Sequence, residues 1–496
     1  MDDHCSCRGE NGIDRRTFLG AAGVAGVAAA SLQEAQAQGR RRNVVFVLVD
    51  DLRFDAMSFM GHPVIETPNI DRMAGHGLHM KNAFVTTSLC SPSRASILTG
   101  LYAHQHQILD NSTLMPPETI TFPTLLQKAG YRTGFVGNWH MGGETDRPRP
   151  GFDRWVSFPG QGQYFDQTFN VDGEQVPRKG YISDLISDYS VDFIKQNKDR
   201  PFFLYMSHKA THAMFMPAPR HKGKYKDKTV PKPASFADTP ENYRGKPRWV
   251  RAQRDTWHGV DGMYNHEVDF DEFYRNYCET VLGVDDSIGR LMETLEQEGL
   301  ADDTLIIFMG DNGFLFGEHG LIDKRCMYEP SIRVPMLVHC PSLTKGSGVI
   351  EQLALNIDIA PTILDAAGVA VPRSMHGRSF LPLIEGNDVQ WRTEFLYEYF
   401  WERAYAQTPT VLGLRTDRYS FMRHHGVWDL YELYDIQNDP NQMNNLLGDV
   451  KLTANHSDIL TWIEDPELKE LVNNLQSRLY RIVTETGGRI DPTWKG

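Results

Sequence analysis

Val44-Val45-Phe46-Val47-Leu48-Val49-Asp50-Asp51 is an unbroken apolar run that ends on two carboxylates. It is rich in β-branched residues and too short for a membrane span. Such a run reads as a strand buried on both faces, which is the signature of a parallel sheet. Outward from it, Tyr131 to Val136, Pro201 to Ser207, Thr304 to Met309 and Val334 to Cys340 read the same way. Between them lie helical patterns. Thr67 and Pro68 open one, as a cap and first-turn proline should. Ser93 to Leu101 and Phe122 to Ala129 are others, the latter stopped by Gly130. Asp184 to Gln196 places Leu185, Tyr189, Phe193 and Ile194 on one face. Phe270 to Glu298 and Asp358 to Ala367 close at Gly299 and Gly368. The alternation predicts an α/β fold, a large mostly parallel sheet covered by helices on both faces.

Residues 213 to about 262 interrupt this order with a Pro-, Lys- and Trp-rich stretch of little periodicity. Stretches this long usually carry function. After Pro382 the texture changes again. Thr393 to Tyr399, Thr410 to Arg415, Tyr419 to His424 and Glu432 to Asp435 read as short strands, followed by a helix from Pro466 to Thr486. This predicts a small antiparallel sheet with one helix. The chain therefore divides into a leader (1–37), a large domain (38–382) and a C-terminal subdomain (383–496).

The leader combines Arg15-Arg16-Thr17-Phe18-Leu19, an Ala/Gly/Val-rich run and the small-x-small site Ala35-Gln36-Ala37. That order is a twin-arginine signal peptide, so the twin-arginine export machinery is a predicted partner and the destination is periplasmic or secreted. No later stretch looks transmembrane, and no stable membrane anchor is expected. The 496 residues carry a net charge of −13, which argues against a nucleic-acid partner. Once Cys5 and Cys7 leave with the leader, Cys90, Cys278, Cys326 and Cys340 remain. That is no disulfide framework.

Chemistry collects where strands end. Asp50-Asp51 and Asp311-Asn312 are two sets of oxygen donors at the C-terminal ends of strands, where open α/β sheets place their ligands. Carboxylates and an amide oxygen suit a hard divalent cation such as Ca²⁺. Between them lies Thr86-Thr87-Ser88-Leu89-Cys90-Ser91-Pro92-Ser93-Arg94-Ala95-Ser96-Ile97-Leu98-Thr99-Gly100. Residue 90 stands just before a Pro-started helical turn, and Arg94 adds a fixed cation one turn later, an arrangement suited to an anion.

This Cys-x-Pro-Ser-Arg pattern with Ala-Ser-Ile-Leu-Thr-Gly resembles the signature of type I sulfatases, of the alkaline phosphatase superfamily. The resemblance extends over Tyr131 to Gly142, Asp311-Asn312-Gly313, Gly317-Glu318-His319-Gly320, Lys324 to Glu329, Ile332 to Pro335 and Glu432 to Asp435 with Asp439-Pro440. It implies a sulfuric ester hydrolase in which a dedicated formylglycine-generating enzyme oxidises Cys90 to formylglycine, whose hydrate is the nucleophile. It further implies one Ca²⁺ held by Asp50, Asp51, Asp311, Asn312 and an oxygen of modified residue 90. Arg94 would steady the hydrate, Lys324 would bind sulfate, His140 would act as a base and His212 would face the bridging oxygen. Tyr397 to Trp401 and on to Tyr419 is similar to bacterial sulfatases grouped with N-acetylglucosamine-6-sulfatases, which implies a sulfated carbohydrate substrate. Aromatics in that run suit sugar faces or the core of the small sheet.

One position departs from the pattern. Asn138 stands where the family has a lysine in contact with sulfate. Asn donates hydrogen bonds but brings no charge. Two other readings therefore stand beside the sulfatase: a phosphodiesterase or phosphonate monoester hydrolase of the same superfamily, and a non-catalytic sugar-binding relative. His104, His106 and His319 are further polar candidates near these motifs.

Overall fold

The computed structural model describes residues 41–143, 145–344, 346–425, 431–450 and 459–489. The leader expectation lies outside the described residues. Ten strands form the main sheet: β1 (Asn43–Val49), β2 (Leu78–Met80), β3 (Arg132–Asn138), β4 (Arg154–Phe158), β5 (Thr168–Val171), β6 (Glu174–Pro177), β7 (Phe202–His208), β8 (Thr304–Gly310), β9 (Met336–His339) and β10 (Gly348–Ile350). Their order is β10-β2-β9-β8-β1-β7-β3-β4-β5-β6. The central five, β8-β1-β7-β3-β4, are parallel. β9 runs antiparallel against β8 and β2, and β5 and β6 close the other side antiparallel.

The parallel centre follows from the apolar run that begins at Val44. Val45, Val47 and Val49 enter one core while Val44, Phe46 and Leu48 enter the opposite one. The first core is closed by α1 (Pro68–Gly75), α4 (Ile182–Asn197) and α5 (Phe270–Gln297). The second is closed by α2 (Cys90–Thr99), α3 (Phe122–Lys128) and α6 (Ile359–Ala366). Helices thus cover both faces. Burying the β1 valines, leucine and phenylalanine contributes roughly 1.5–3 kcal/mol per side chain.

A separate four-stranded antiparallel sheet runs β11 (Glu394–Tyr399), β12 (Thr410–Thr416), β13 (Tyr419–His425) and β14 (Tyr431–Asp435) in sequence order. α7 (Pro466–Glu485) packs on it through Val472, Leu475, Leu479 and Val483, one stripe of an amphipathic helix. Tyr397 and Tyr399 belong to this core, whereas Trp401 is exposed. Among the described residues no helix is long and apolar enough to cross a membrane. Cys90, Cys278, Cys326 and Cys340 are all buried free thiols.

Three details differ from the sequence expectation. α2 begins at Cys90, so residue 90 is the first helical residue instead of the one before it. Thr67 makes no side-chain cap to α1; its hydroxyl bonds to Ser58 and Asp71. The short strands β2, β4, β5, β6 and β10 widen the sheet beyond the apolar runs.

Candidate active site

Register brings the strand ends level. Val49 pairs with both His208 and Gly310, and Gly137 pairs with Ser207. The loops that follow are tied together by backbone bonds. Asp50 N–H donates to the Ala210 carbonyl (3.1 Å), Thr211 N–H to the Asp50 carbonyl (2.6 Å) and Asp311 N–H to the Val49 carbonyl (3.0 Å). α2, wholly buried, points its first turn at this junction. Cys90 Sγ lies 3.5 Å from Asp50 Oδ1. Arg94, one turn later, forks onto two carboxylates, 3.1 Å from Asp50 and 2.9 Å from Asp311. Its remaining donors reach Ser207 Oγ (2.9 Å) and the Asn138 carbonyl.

Oxygen donors converge beside Cys90. Carboxylate oxygens of Asp50, Asp51 and Asp311 lie within 4.8 Å of one another, and Asp50 forms a similar group with Cys90 and His212. Asp51 Oδ2 and Asn312 Oδ1 are buried without a hydrogen-bond donor. Buried acceptors left unmatched cost energy unless a cation or donor meets them. Two orphaned oxygens among three carboxylates therefore fit a hard dication, in keeping with the oxygen-only donor set. Burial, joined by the neighbouring Asp50, pushes the Asp311 carboxyl up to about 8. Burial also pushes Asp51 up, to about 7, although Lys324 opposes it. Asp50 goes the other way: Arg94, then His212 and Lys324, overcome burial and hold it low.

The other expected residues meet here too. Lys324 Nζ pairs with Asp51 Oδ1. His212 Nε2 stands 4.0 Å from Asp51 Oδ2 and its Nδ1 is 2.6 Å from the Ala213 carbonyl. His140 follows β3, and its carbonyl accepts from Ser91 Oγ. Burial lowers both imidazoles, His140 to about 3 and His212 to about 4, so both are neutral near pH 7. Asp51, His140, Asp323 and Arg325 all hold left-handed backbones, at φ +53°, +48°, +81° and +78°. Strain of this kind persists where surrounding structure imposes it, commonly at functional sites.

A sulfatase family model matches residues 42–369, and a second, described as N-sulphoglucosamine sulphohydrolase, C-terminal, matches residues 317–483. The chain belongs to the sulfatase family. An N-acetylglucosamine-6-O-sulfatase of Bacteroides thetaiotaomicron is 32% identical, over 87% of this chain and 89% of its own. The human N-acetylglucosamine-6-sulfatase is 30% identical, over 86% and 83%. A solved structure of an enzyme with its substrate D-glucosamine-2-N,6-O-disulfate superposes with a TM-score of 0.81 at 30% identity, over 90% of this chain and 98% of that one.

This sulfatase places all ten expected residues, from Asp50 to Lys324, around one point. His104 and His106 bond elsewhere, to Glu398 and Ser96, and His319 packs against Tyr328. Four neighbours were not legible in sequence. Gln161 accepts from Asn138 Nδ2 (2.8 Å) and approaches His140 Nδ1 (3.0 Å). Ser207 receives Arg94. Asp323 holds Lys324 from behind at 3.6 Å. Lys209 is buried with Nζ 4.6 Å from the Tyr164 ring centre, and Tyr164 OH donates to the His212 carbonyl. Burial lowers the Lys209 ammonium against the pull of Asp50 and Asp51. Its place three residues before His212 in the chain was the available signal for Lys209.

Proposed function

We propose that this sulfatase removes a 6-O-sulfate from a glucosamine-type sugar, with residue 90 as formylglycine and one Ca²⁺ in the acidic pocket. The observation that carries this reading is the convergence on Cys90 of unmatched oxygens, two cations and two neutral imidazoles. Burial, and next Asp50, push the Cys90 thiol well up, so an unmodified Cys90 would stay a protonated, poor nucleophile. Oxidised to formylglycine, residue 90 would supply a hydrated aldehyde as the attacking hydroxyl.

Asp50, Asp51, Asp311 and Asn312 would hold the Ca²⁺, whose charge offsets that of a sulfate ester. Arg94 keeps two of those carboxylates fixed and faces residue 90. Lys324 supplies a cation to the transferring group. His140, neutral, is suited to take a proton from residue 90. A bound sulfate anion favours the protonated form of His212, which then donates to the leaving oxygen. The sugar assignment rests on the relatives named above. The twin-arginine leader and export to the periplasm or outside belong to the same reading, as does the division at residue 382.

Mass spectrometry of the residue-90 peptide, paired with sulfate release from N-acetylglucosamine 6-sulfate, tests it. The expected result is formylglycine, release by wild type, loss on chelation and loss in Cys90→Ala. Full turnover by protein with an intact thiol overturns it. A second reading, hydrolysis of a phosphorus ester by the same superfamily scaffold, is favoured by one observation. A multifunctional alkaline phosphatase superfamily protein of Trinickia caryophylli is 25% identical over 84% of this chain. Side-by-side assays on sulfate and phosphonate esters separate the two.

A further inference from the structure

Lys324 stands at one end of a buried row of charges whose other end lies on the small sheet. Its Nζ meets two carboxylates, Asp51 and Asp323. Asp51 belongs to the set that would hold the Ca²⁺, and Asp323 does not. The two oxygens of Asp323 divide their work. Oδ1 lies 3.6 Å from Lys324 Nζ, and Oδ2 pairs with Arg325. Arg325 Nε reaches Glu402 Oε1 at 2.9 Å, and Glu402 stands three residues beyond β11. Lys324, Asp323, Arg325 and Glu402 are thus two cations and two carboxylates in alternation, and none is more than 7% exposed.

Each of the last three is fixed by further contacts. Asp323 pairs through its backbone with Leu315, and its Oδ2 faces His258 Nε2 at 3.1 Å. Arg325 N–H donates to the Ser88 carbonyl (3.2 Å), and its guanidinium lies 3.8 Å from the Tyr405 ring centre. Glu402 Oε1 accepts from the hydroxyl of Tyr399 (2.9 Å), a core residue of the small sheet. Burial opposes ionisation of Asp323, but Arg325 and then Lys324 hold its carboxyl well below the usual range, so it stays an anion. A lysine is a point charge on a flexible four-carbon stem, and an ammonium that must meet a sulfate in one place needs an anchor. Removing one member of a buried pair leaves the other uncompensated. Glu402 takes up Arg325, and that leaves Oδ1 of Asp323 to Lys324.

We propose that Asp323, Arg325 and Glu402 are positioning residues that fix the Lys324 ammonium where the transferring sulfate meets it, and that the small sheet sets this position through Glu402. The proposal rests on the sulfatase reading for the role of Lys324. Asp323→Asn and Glu402→Gln keep each side chain's shape and remove one charge. On an aryl sulfate, Asp323→Asn should lower kcat/KM about ten- to a hundredfold, the worth of one hydrogen bond to a charged group. Glu402→Gln, one step further out, should lower it about three- to tenfold. Binding of inorganic sulfate, measured by calorimetry, should weaken in the same order. A row of charges that only joined the sheets would lower the denaturant midpoint and leave turnover and sulfate affinity alone. In the Lys324→Met background the same two substitutions should change kcat/KM by no more than about twofold, because residues that act through one ammonium are not additive. Equal costs in both backgrounds overturn the proposal, as do folded single variants with unchanged turnover and sulfate affinity. Wild type that binds inorganic sulfate but releases none from any ester overturns the sulfatase reading instead, and the sulfate affinities of the variants then decide the positioning role.

Discussion

Asn138, the position where the sequence pattern led to the expectation of a lysine, is engaged inside the protein by two neighbours. It is fully buried, and its Nδ2 donates to Asp50 Oδ2 (3.0 Å) and to Gln161 Oε1. It therefore orients a carboxylate and, through Gln161, the His140 ring. Its Oδ1 meets no donor. Asn138→Lys would keep a donor on Asp50 and add a cation. A hydrogen bond to a charged group contributes about 1.5–3 kcal/mol, so kcat/KM on simple sulfate esters should rise roughly ten- to a hundredfold. A variant that folds normally and gains nothing would mean that the site binds a sulfate ester without a cation at this position. The grouping of Asp50, Asp51, Asp311 and Asn312 was legible because pairs of oxygen donors stand at or one residue beyond the ends of apolar runs. Gln161 was not, because it reaches the site from the turn after β4 and no spacing rule links it to His140.

At the scale of elements, the site depends on how closely β3 approaches β7. Gly137 sits near the end of β3 with φ +120°, and an added Cβ would lie 1.8 Å from the Ser207 carbonyl oxygen. Only glycine permits both the backbone conformation and the approach. Gly137→Ala should therefore destabilise the fold by about 2–4 kcal/mol, seen as a lowered denaturant midpoint. It should also lower kcat, since Asn138 and His140 follow directly. A midpoint equal to wild type would show that β3 and β7 part without cost. Four of the five central parallel strands, β8, β1, β7 and β3, could be read from sequence because burial on both faces demands unbroken apolar runs; β4, a short run opened by Arg154, could not. β6 could not, because Glu174–Pro177 is a short, mostly exposed edge strand whose pairing with β5 is set by the Asp172-Gly173 turn and not by apolar patterning. The antiparallel course of β9 was equally hidden, since a buried run does not encode strand direction.

Across the whole molecule, His104 is one of several side chains that tie the small sheet and its helix to the rest of the chain, beside the pairs Arg415–Glu329 and Arg325–Glu402. Its Nδ1 lies 2.8 Å from Glu398 Oε1 on β11, and its Nε2 lies 3.0 Å from the Thr486 carbonyl just after α7. Both ring nitrogens thus face acceptors, an arrangement that favours the doubly protonated imidazolium. Burial opposes that form, but the hydrogen bond and charge of Glu398 prevail and hold the His104 pKa above its ordinary 6.5. A raised folded pKa means that the contact contributes its full stability below pH 6.5 and loses it as pH climbs through the folded value. His106 and His376 act in the opposite sense, because burial and then the neighbouring imidazoles lower them to about 3 and about 4. Glu398→Gln keeps the shape and an acceptor for His104 while removing the charge, so it isolates the ion pair from those neighbours. The pair is partly exposed, and a contribution of roughly 1–2 kcal/mol is expected after allowing for solvent screening. The stability gap between wild type and Glu398→Gln, measured by denaturant unfolding, should therefore be widest near pH 6 and narrow by pH 9. A gap that is constant over that range, or that widens with pH, would mean that His104 stays neutral and that this pair carries no charge contribution to stability.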